Sequence, residues 1–100
     1  MATNTQTKPL FPLGHIVATP GAIQAFIESD GGPITMKYLI LRHAIGDWGD
    51  VDAGDGAAND LSVTDGTRIL SAYELDGGGR VWIITEADRS STTVLLPEEY

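Results

Sequence analysis

The sequence predicts an α+β domain in which two or three N-terminal helices pack on a C-terminal three-stranded antiparallel meander. Apolar residues recur at helical spacing behind a Thr19-Pro20 start signal. Further on, apolar and polar residues alternate over residues 69–75, as in a half-buried strand. The glycines at 77–79 then join this strand to a second apolar run. An additional N-terminal edge strand at residues 15–18 stays open as an alternative.

The first two helices are predicted from their start signals and apolar spacing. Thr19 can cap the first one, and Pro20 suits its first position, where an amide would have no helical partner. Its apolar stripe comprises Ile23, Phe26 and Ile27. The second helix is predicted over residues 35–45, with one face formed by Met36, Leu39, Ile40 and His43.

A third, short helix is predicted over residues 54–63, packed through Ala57, Ala58 and Leu61. Its glycines at 54 and 56 each weaken it by up to about 1 kcal/mol relative to alanine. In the preceding turn, two glycines flank Trp48, which predicts a tight turn that tucks the indole ring into the core.

The meander occupies the C-terminal third of the chain. In its first strand Ile69, Ser71 and Tyr73 point to one face of the sheet, and the residues between them point to the other. The second strand, at residues 81–85, is apolar on both faces, which predicts a central position. The third covers residues 92–96 and ends at Pro97. The helices should cover one face of this sheet, giving two layers.

Length and composition indicate a single globular domain. The 100 residues are 42% hydrophobic and 20% charged. We expect residues 1–9 to form a disordered arm and residues 10–100 to form one α+β domain. The sequence holds no cysteine, no apolar run long enough to cross a bilayer and no signal-peptide pattern. These features predict a cytoplasmic protein that is not associated with a membrane.

The charge balance limits the class of partner. Fourteen acidic residues stand against six basic ones, for a net charge of −8. Nucleic-acid binding requires clusters of lysine and arginine, and the sequence has none, so direct nucleic-acid binding is not expected. An acidic domain can instead dock on a basic surface of another protein, or its charge can simply keep it soluble.

No metal or cofactor site is predicted. Asp50, Asp52 and Asp55 resemble part of a calcium-binding loop. However, counting from Asp50, the sixth position is Asp55 rather than glycine, and the twelfth is Leu61 rather than glutamate. Two histidines without cysteine make a structural zinc site improbable, and no glycine-rich phosphate-binding pattern stands between a strand and a helix.

One constellation of residues suggests catalysis. Small ribonucleases use a histidine or glutamate as base and arginines to stabilise a phosphorane. In this sequence His43 is the candidate base, and Arg68 and Arg89 are the candidate arginines. The hydroxyls of Tyr73, Ser90 and Thr92 complete the constellation. The competing interpretation is structural: His43 packs at a helix end and the arginines pair with nearby carboxylates. The net charge of −8 favours this structural interpretation, because it opposes an RNA substrate.

Two polar segments are candidate binding surfaces. The first is the aspartate-rich stretch at residues 47–65, where Trp48 would act as an anchor and the carboxylates spaced around it would suit a basic groove. These carboxylates belong to Asp47, Asp50, Asp52 and Asp55. The second is the turn at residues 86–91, which offers Glu86, Asp88 and Arg89. Each also has a structural interpretation. The first would be a solvent-exposed face without a partner, and in the second Asp88 and Arg89 would stabilise the turn.

The chain resembles a family of small, mostly uncharacterised proteins encoded on bacterial plasmids and integrative mobile elements. The resemblance rests on LGHIVATPGA (13–22), RHAIGDWGD (42–50), RILSAYEL (68–75) and VWIITEADRSSTTVLLPEEY (81–100). It covers nearly all of residues 10–100. Residues 52–59 contain more glycine than the resemblance leads us to expect. The resemblance implies a bacterial origin and a mobile-element setting, without a reaction or a catalytic residue.

The leading hypothesis is therefore a small acidic, non-enzymatic interaction protein of a mobile genetic element. It would inhibit a host nucleic-acid-handling or defence complex by occupying a basic surface. A ribonuclease-like enzyme using His43 is the alternative. A homodimer formed through an unpaired sheet edge also stays open.

Overall fold

The computed structural model describes residues 8–100, so most of the predicted N-terminal arm lies outside the described residues. The chain forms elements in the order β1, three helices and then three strands. Their bounds are β1 His15–Ala18, α1 Pro20–Glu28, α2 Ile34–Ala44, α3 Ala53–Asp65, β2 Ile69–Glu74, β3 Arg80–Thr85 and β4 Ser91–Leu95, followed by a 3₁₀ helix at Pro97–Glu99. The α+β class is confirmed. No helix in the described part of the chain is long and apolar enough to cross a membrane.

The sheet has four strands in the order β1-β4-β3-β2. Strands β2, β3 and β4 form the predicted antiparallel meander, with Ala72 opposite Trp82 and Ile83 opposite Val94. The first strand, β1, pairs in parallel with β4. The sheet is therefore mixed rather than purely antiparallel, and the alternative of an additional N-terminal edge strand at residues 15–18 is confirmed, because β1 lies at the edge of the sheet and precedes the helices. Both β3 and β4 are interior strands.

Helix α1 starts as predicted but buries a different face. The Thr19 hydroxyl accepts a hydrogen bond from the Ala22 amide at 3.1 Å, and Ser29 ends the helix. Phe26 and Ala22 are fully buried, whereas Ile23 and Ile27 are exposed. The predicted stripe is thus wrong at two of its three positions. The small Ala22 and Ala25 allow the helix to lie close to the sheet, which turns the isoleucines outward.

Helix α3 is longer than predicted and also packs differently. Asp52 caps it by accepting the Asp55 amide at 2.8 Å, and Gly66, with φ of 77°, ends it. The predicted packing residues Ala57, Ala58 and Leu61 are exposed, and the buried ones are Asn59 and Ser62. This prediction is wrong because the helix contacts the rest of the protein through the hydrogen bonds of Asn59 to β2 and through Val63, which packs against the core.

The core consists of two apolar clusters. The larger lies between the sheet and helices α1 and α2, and its buried residues are Ala22, Phe26, Leu39, Tyr73, Leu75, Val81, Ile83 and Val94. The smaller comprises Phe11, Trp48 and Ile69. Trp48 is only 7% exposed, so the predicted burial of its ring is confirmed.

Candidate functional site

The aspartate-rich segment forms a loop and helix α3 along the outer edge of β2. The Ala72 amide donates to the Trp48 carbonyl at 3.1 Å, and the Asp50 amide donates to the Ala72 carbonyl at 2.7 Å. Gly49, at φ of 74°, lies between these bonds and forms a bridge with Ala72. The loop therefore acts as a short additional strand on β2.

Asn59 extends this pairing from helix α3. Its side-chain amide donates to the Leu70 carbonyl at 2.8 Å, and its side-chain oxygen accepts the Leu70 amide at 3.2 Å. One amide side chain thus satisfies both backbone groups of an edge residue, as a neighbouring strand would. Because edge groups left unpaired attract other chains, Asn59 also protects this edge.

We expect Asn59→Asp to destabilise the protein by about 1 kcal/mol. The carboxylate can still accept the Leu70 amide but cannot donate to the Leu70 carbonyl, which loses its partner. Urea unfolding measures the effect. Ala58→Asp, on the exposed neighbouring position, is the matched control for added negative charge. Equal destabilisation by the two variants would contradict the role of the lost donor.

Aspartates of this segment differ in what they contact. Asp47 forms a bidentate ion pair with Arg42, at 2.7 and 3.1 Å. The hydrogen bond from Arg42 lowers the pKa of Asp47 and raises that of Arg42. Asp60 accepts the Trp48 indole N–H at 2.9 Å. Asp47 thus has a structural partner, and the other aspartates that lie exposed on the loop and on α3 are Asp50, Asp52, Asp55, Asp60 and Asp65.

His43, the candidate base, lies in the core with no exposed surface. Its Nδ1 is 2.6 Å from the Ser71 hydroxyl, and its Nε2 is 2.8 Å from the Thr85 hydroxyl. The imidazole also meets Phe11 and Trp48 edge to face, with ring centroids 5.4 and 6.0 Å away. Both ring nitrogens have protein partners, so neither is open to a substrate in this structure.

The donor of each hydrogen bond in this buried network can be assigned by starting from Thr92. The Thr92 hydroxyl donates to the Leu13 carbonyl at 2.7 Å, which uses its proton. The Thr85 hydroxyl must then donate to Thr92, 2.7 Å away, and so accepts from His43. Nε2 therefore carries the hydrogen. Burial lowers the pKa of His43 to about 4, so the ring is neutral at pH 7 and the Ser71 hydroxyl donates to Nδ1.

The other candidate catalytic residues have separate partners. The Arg89 guanidinium donates to the carbonyls of Ser62 and Thr67, both at 2.7 Å, and lies over the Phe11 ring. Arg68 lies over the Tyr100 ring. The Tyr73 hydroxyl donates to the Asp47 carbonyl at 2.6 Å, and burial raises its pKa to about 12. The two bonds of its guanidinium mean that Arg89 links the turn at residues 86–91 to the C-terminal end of α3.

The turn at residues 86–91 is held mainly by its own hydrogen bonds. The Glu86 amide donates to the Ser91 carbonyl, and the Arg89 amide donates to the Glu86 carbonyl. Arg89 adopts a positive φ of 60°. Asp88 accepts the Ser90 amide at 2.9 Å, and the Ser90 hydroxyl lowers its pKa. The carboxylates of Glu86 and Asp88 lie at the surface.

Sequence reasoning missed Asn59 and the hydroxyls around His43. A signal for the Thr85 hydroxyl exists, since Thr85 follows Val81 and Ile83 at two-residue spacing and therefore lies on the same buried face of β3. Within residues 8–100, no group of histidine, aspartate and glutamate side chains is arranged to hold a metal ion. No protein family, curated protein or solved structure matches this chain.

Proposed function

We propose that this protein is a small, non-enzymatic interaction protein of a mobile genetic element, which docks on a basic surface of a host nucleic-acid-handling or defence protein. The observation that carries the proposal is that all the aspartates from Asp50 to Asp65, here called the acidic surface, are exposed. No lysine or arginine lies in this stretch. The mobile-element setting rests on the sequence resemblance.

The anchoring of this acidic surface supports a binding role. The loop pairs with Ala72 and helix α3 pairs with Leu70, so the carboxylates are held on the rigid sheet. A rigid surface loses little conformational entropy on binding. Trp48 contributes by packing beneath the loop, and its buried ring is not offered to a partner.

The ribonuclease-like alternative has less support. A general base must reach the proton that it abstracts, and His43 is buried with both nitrogens engaged. The guanidinium of Arg89 bonds to backbone carbonyls rather than facing an open cleft. The geometry around His43 is that of a structural network.

The proposal predicts that binding depends on the negative charge of this segment. Asp50→Asn, Asp52→Asn, Asp55→Gln and Asp65→Gln together change the net charge from −8 to −4. The fold should persist, because asparagine at position 52 can cap α3 as well as aspartate does. Asp60 is left unchanged because it accepts the hydrogen bond from the Trp48 indole. Immobilised protein is exposed to bacterial lysate at about 50 mM and about 500 mM NaCl, since salt screens exposed charges. We expect specific proteins to be retained only at low salt and only by the unchanged surface.

The matched control carries the same charge change elsewhere. Glu28, Asp30, Asp76 and Glu98 lie around the glycine turn at residues 77–79, and their replacement by glutamine also gives −4. This control should retain the captured proteins. Equal loss from both variants would show a bulk charge effect, and no salt-sensitive capture by the unchanged protein would refute the proposal.

A further inference from the structure

Helix α2 carries a second apolar stripe on its outward face. Its members are Ile34, Tyr38, Leu41 and Ile45, the last at the helix C-cap, with exposures of 72%, 62%, 53% and 39%. They lie opposite the buried face formed by Leu39 and His43. Large exposed patches of this kind mark interaction sites. We propose that this stripe binds the same stripe of a second copy of the protein, with the two helices antiparallel.

The spacing of the stripe is compatible with pairing to a second copy. The intervals between successive members are four, three and four residues, so the stripe reads the same in both directions. A two-fold axis between Tyr38 and Leu41 then sets Tyr38 of one copy against Leu41 of the other. It likewise sets Ile34 against Ile45. Self-complementarity of this kind is what an isologous interface requires.

The charge distribution also favours a second copy at this face. Two copies of a protein with a net charge of −8 repel each other over most of their surfaces. Helix α2 has no acidic residue and carries Lys37 and Arg42 on either side of the stripe. Arg42 is already neutralised by Asp47. Two copies can thus approach along α2 without bringing carboxylates on this helix together.

A surface cavity lies beside the C-terminal half of the stripe, where a side chain of the second copy would be placed. It has a volume of about 330 Å³ and is lined by Tyr38, Leu41, Arg42, Ile45 and Asp47. In the two-fold register Ile34 of the second copy faces Ile45, at the rim of this cavity. The helix has 11 residues and is roughly 16 Å long, so the interface is small and the dimer weak.

Sedimentation at protein concentrations from about 10 µM to 1 mM tests the proposal. We expect a reversible dimer that Leu41→Glu weakens at least about tenfold, because the carboxylate would be buried at the two-fold axis. Ile27→Glu on α1 is the matched control, since Ile27 is 55% exposed, and it should leave the dimer intact. Added salt should strengthen this dimer, whereas it weakens docking of the acidic surface.

Cysteine cross-linking tests the register. The protein has no cysteine, so any disulfide comes from the introduced residues. A mixture of the Ile34→Cys and Ile45→Cys variants should form a mixed disulfide dimer faster than either variant does alone. A protein that is monomeric at every concentration, or a dimer insensitive to Leu41→Glu, would overturn the proposal. So would a dimer abolished by Val17→Lys on the edge strand β1 and not by Leu41→Glu.

Discussion

Replacing Gly49 with alanine is expected to lower the free energy of unfolding by about 3 kcal/mol. Gly49 has a φ of 74°, which costs a residue with a Cβ about 1 kcal/mol. An added Cβ would also overlap the Ala72 carbonyl oxygen and lie 2.6 Å from Cδ1 of the Tyr73 ring. Both neighbours belong to β2, so the loop must separate from the strand and lose its two hydrogen bonds to Ala72.

Gly66→Ala provides the matched control. Gly66 has nearly the same φ, 77°, but an added Cβ there meets nothing within 4 Å. Only the conformational cost of about 1 kcal/mol should remain. Urea unfolding of the two variants therefore separates backbone strain from steric overlap. Similar destabilisation by both substitutions would mean that the contact between Gly49 and β2 contributes little.

Lowering the pH from 7 to 5 is expected to destabilise the protein by about 2 kcal/mol through His43. Burial lowers the pKa of His43 from 6.5 to about 4 in the folded state. Between these values the unfolded chain takes up a proton that the folded protein excludes. The stabilisation is therefore fully present above pH 6.5 and declines as the pH falls toward 4. By pH 4 the loss approaches about 3 kcal/mol.

Urea unfolding at several pH values between 7 and 5 measures this dependence. Above pH 5 the carboxylates with lowered pKa values, Asp47, Asp88 and Glu99, are still ionised and contribute little to the slope. His43→Gln should remove the slope between pH 6.5 and 5, whatever it does to overall stability. His15→Gln, at the exposed histidine, should retain it. A slope that persists in His43→Gln would assign the titration to other groups.

The sequence predicts the kinds and order of the elements because local signals specify them. Thr19 caps α1 and the glycines at 77–79 turn the chain between β2 and β3, as expected. The parallel partner of β1 could not be predicted, since His15–Ala18 carries no information about a strand some 75 residues away. Parallel pairing needs a crossover, here the three helices together with strands β2 and β3, and its register depends on the completed sheet.

The candidate site was predictable in composition but not in arrangement. The exposed aspartates follow from the sequence directly, whereas the contact of Asn59 with Leu70 requires the position of α3 on the sheet edge. The apolar residues of α3 were a misleading guide, because polar side chains can hold a helix when they replace a missing strand. The burial of His43 could be anticipated from its helix face, but its hydroxyl partners come from β2 and β3.

The parallel pairing of β1 with β4 also affects how the protein folds during synthesis. The Thr92 hydroxyl contacts the Leu13 carbonyl, 79 residues earlier in the chain. A nascent chain therefore produces β1 and all three helices before the strand that holds β1 exists. Contacts so distant in sequence close slowly. Until strands β2 to β4 emerge, Phe26 and Leu39 lack the sheet that covers them, so the growing chain is most exposed to aggregation and to chaperones at this stage.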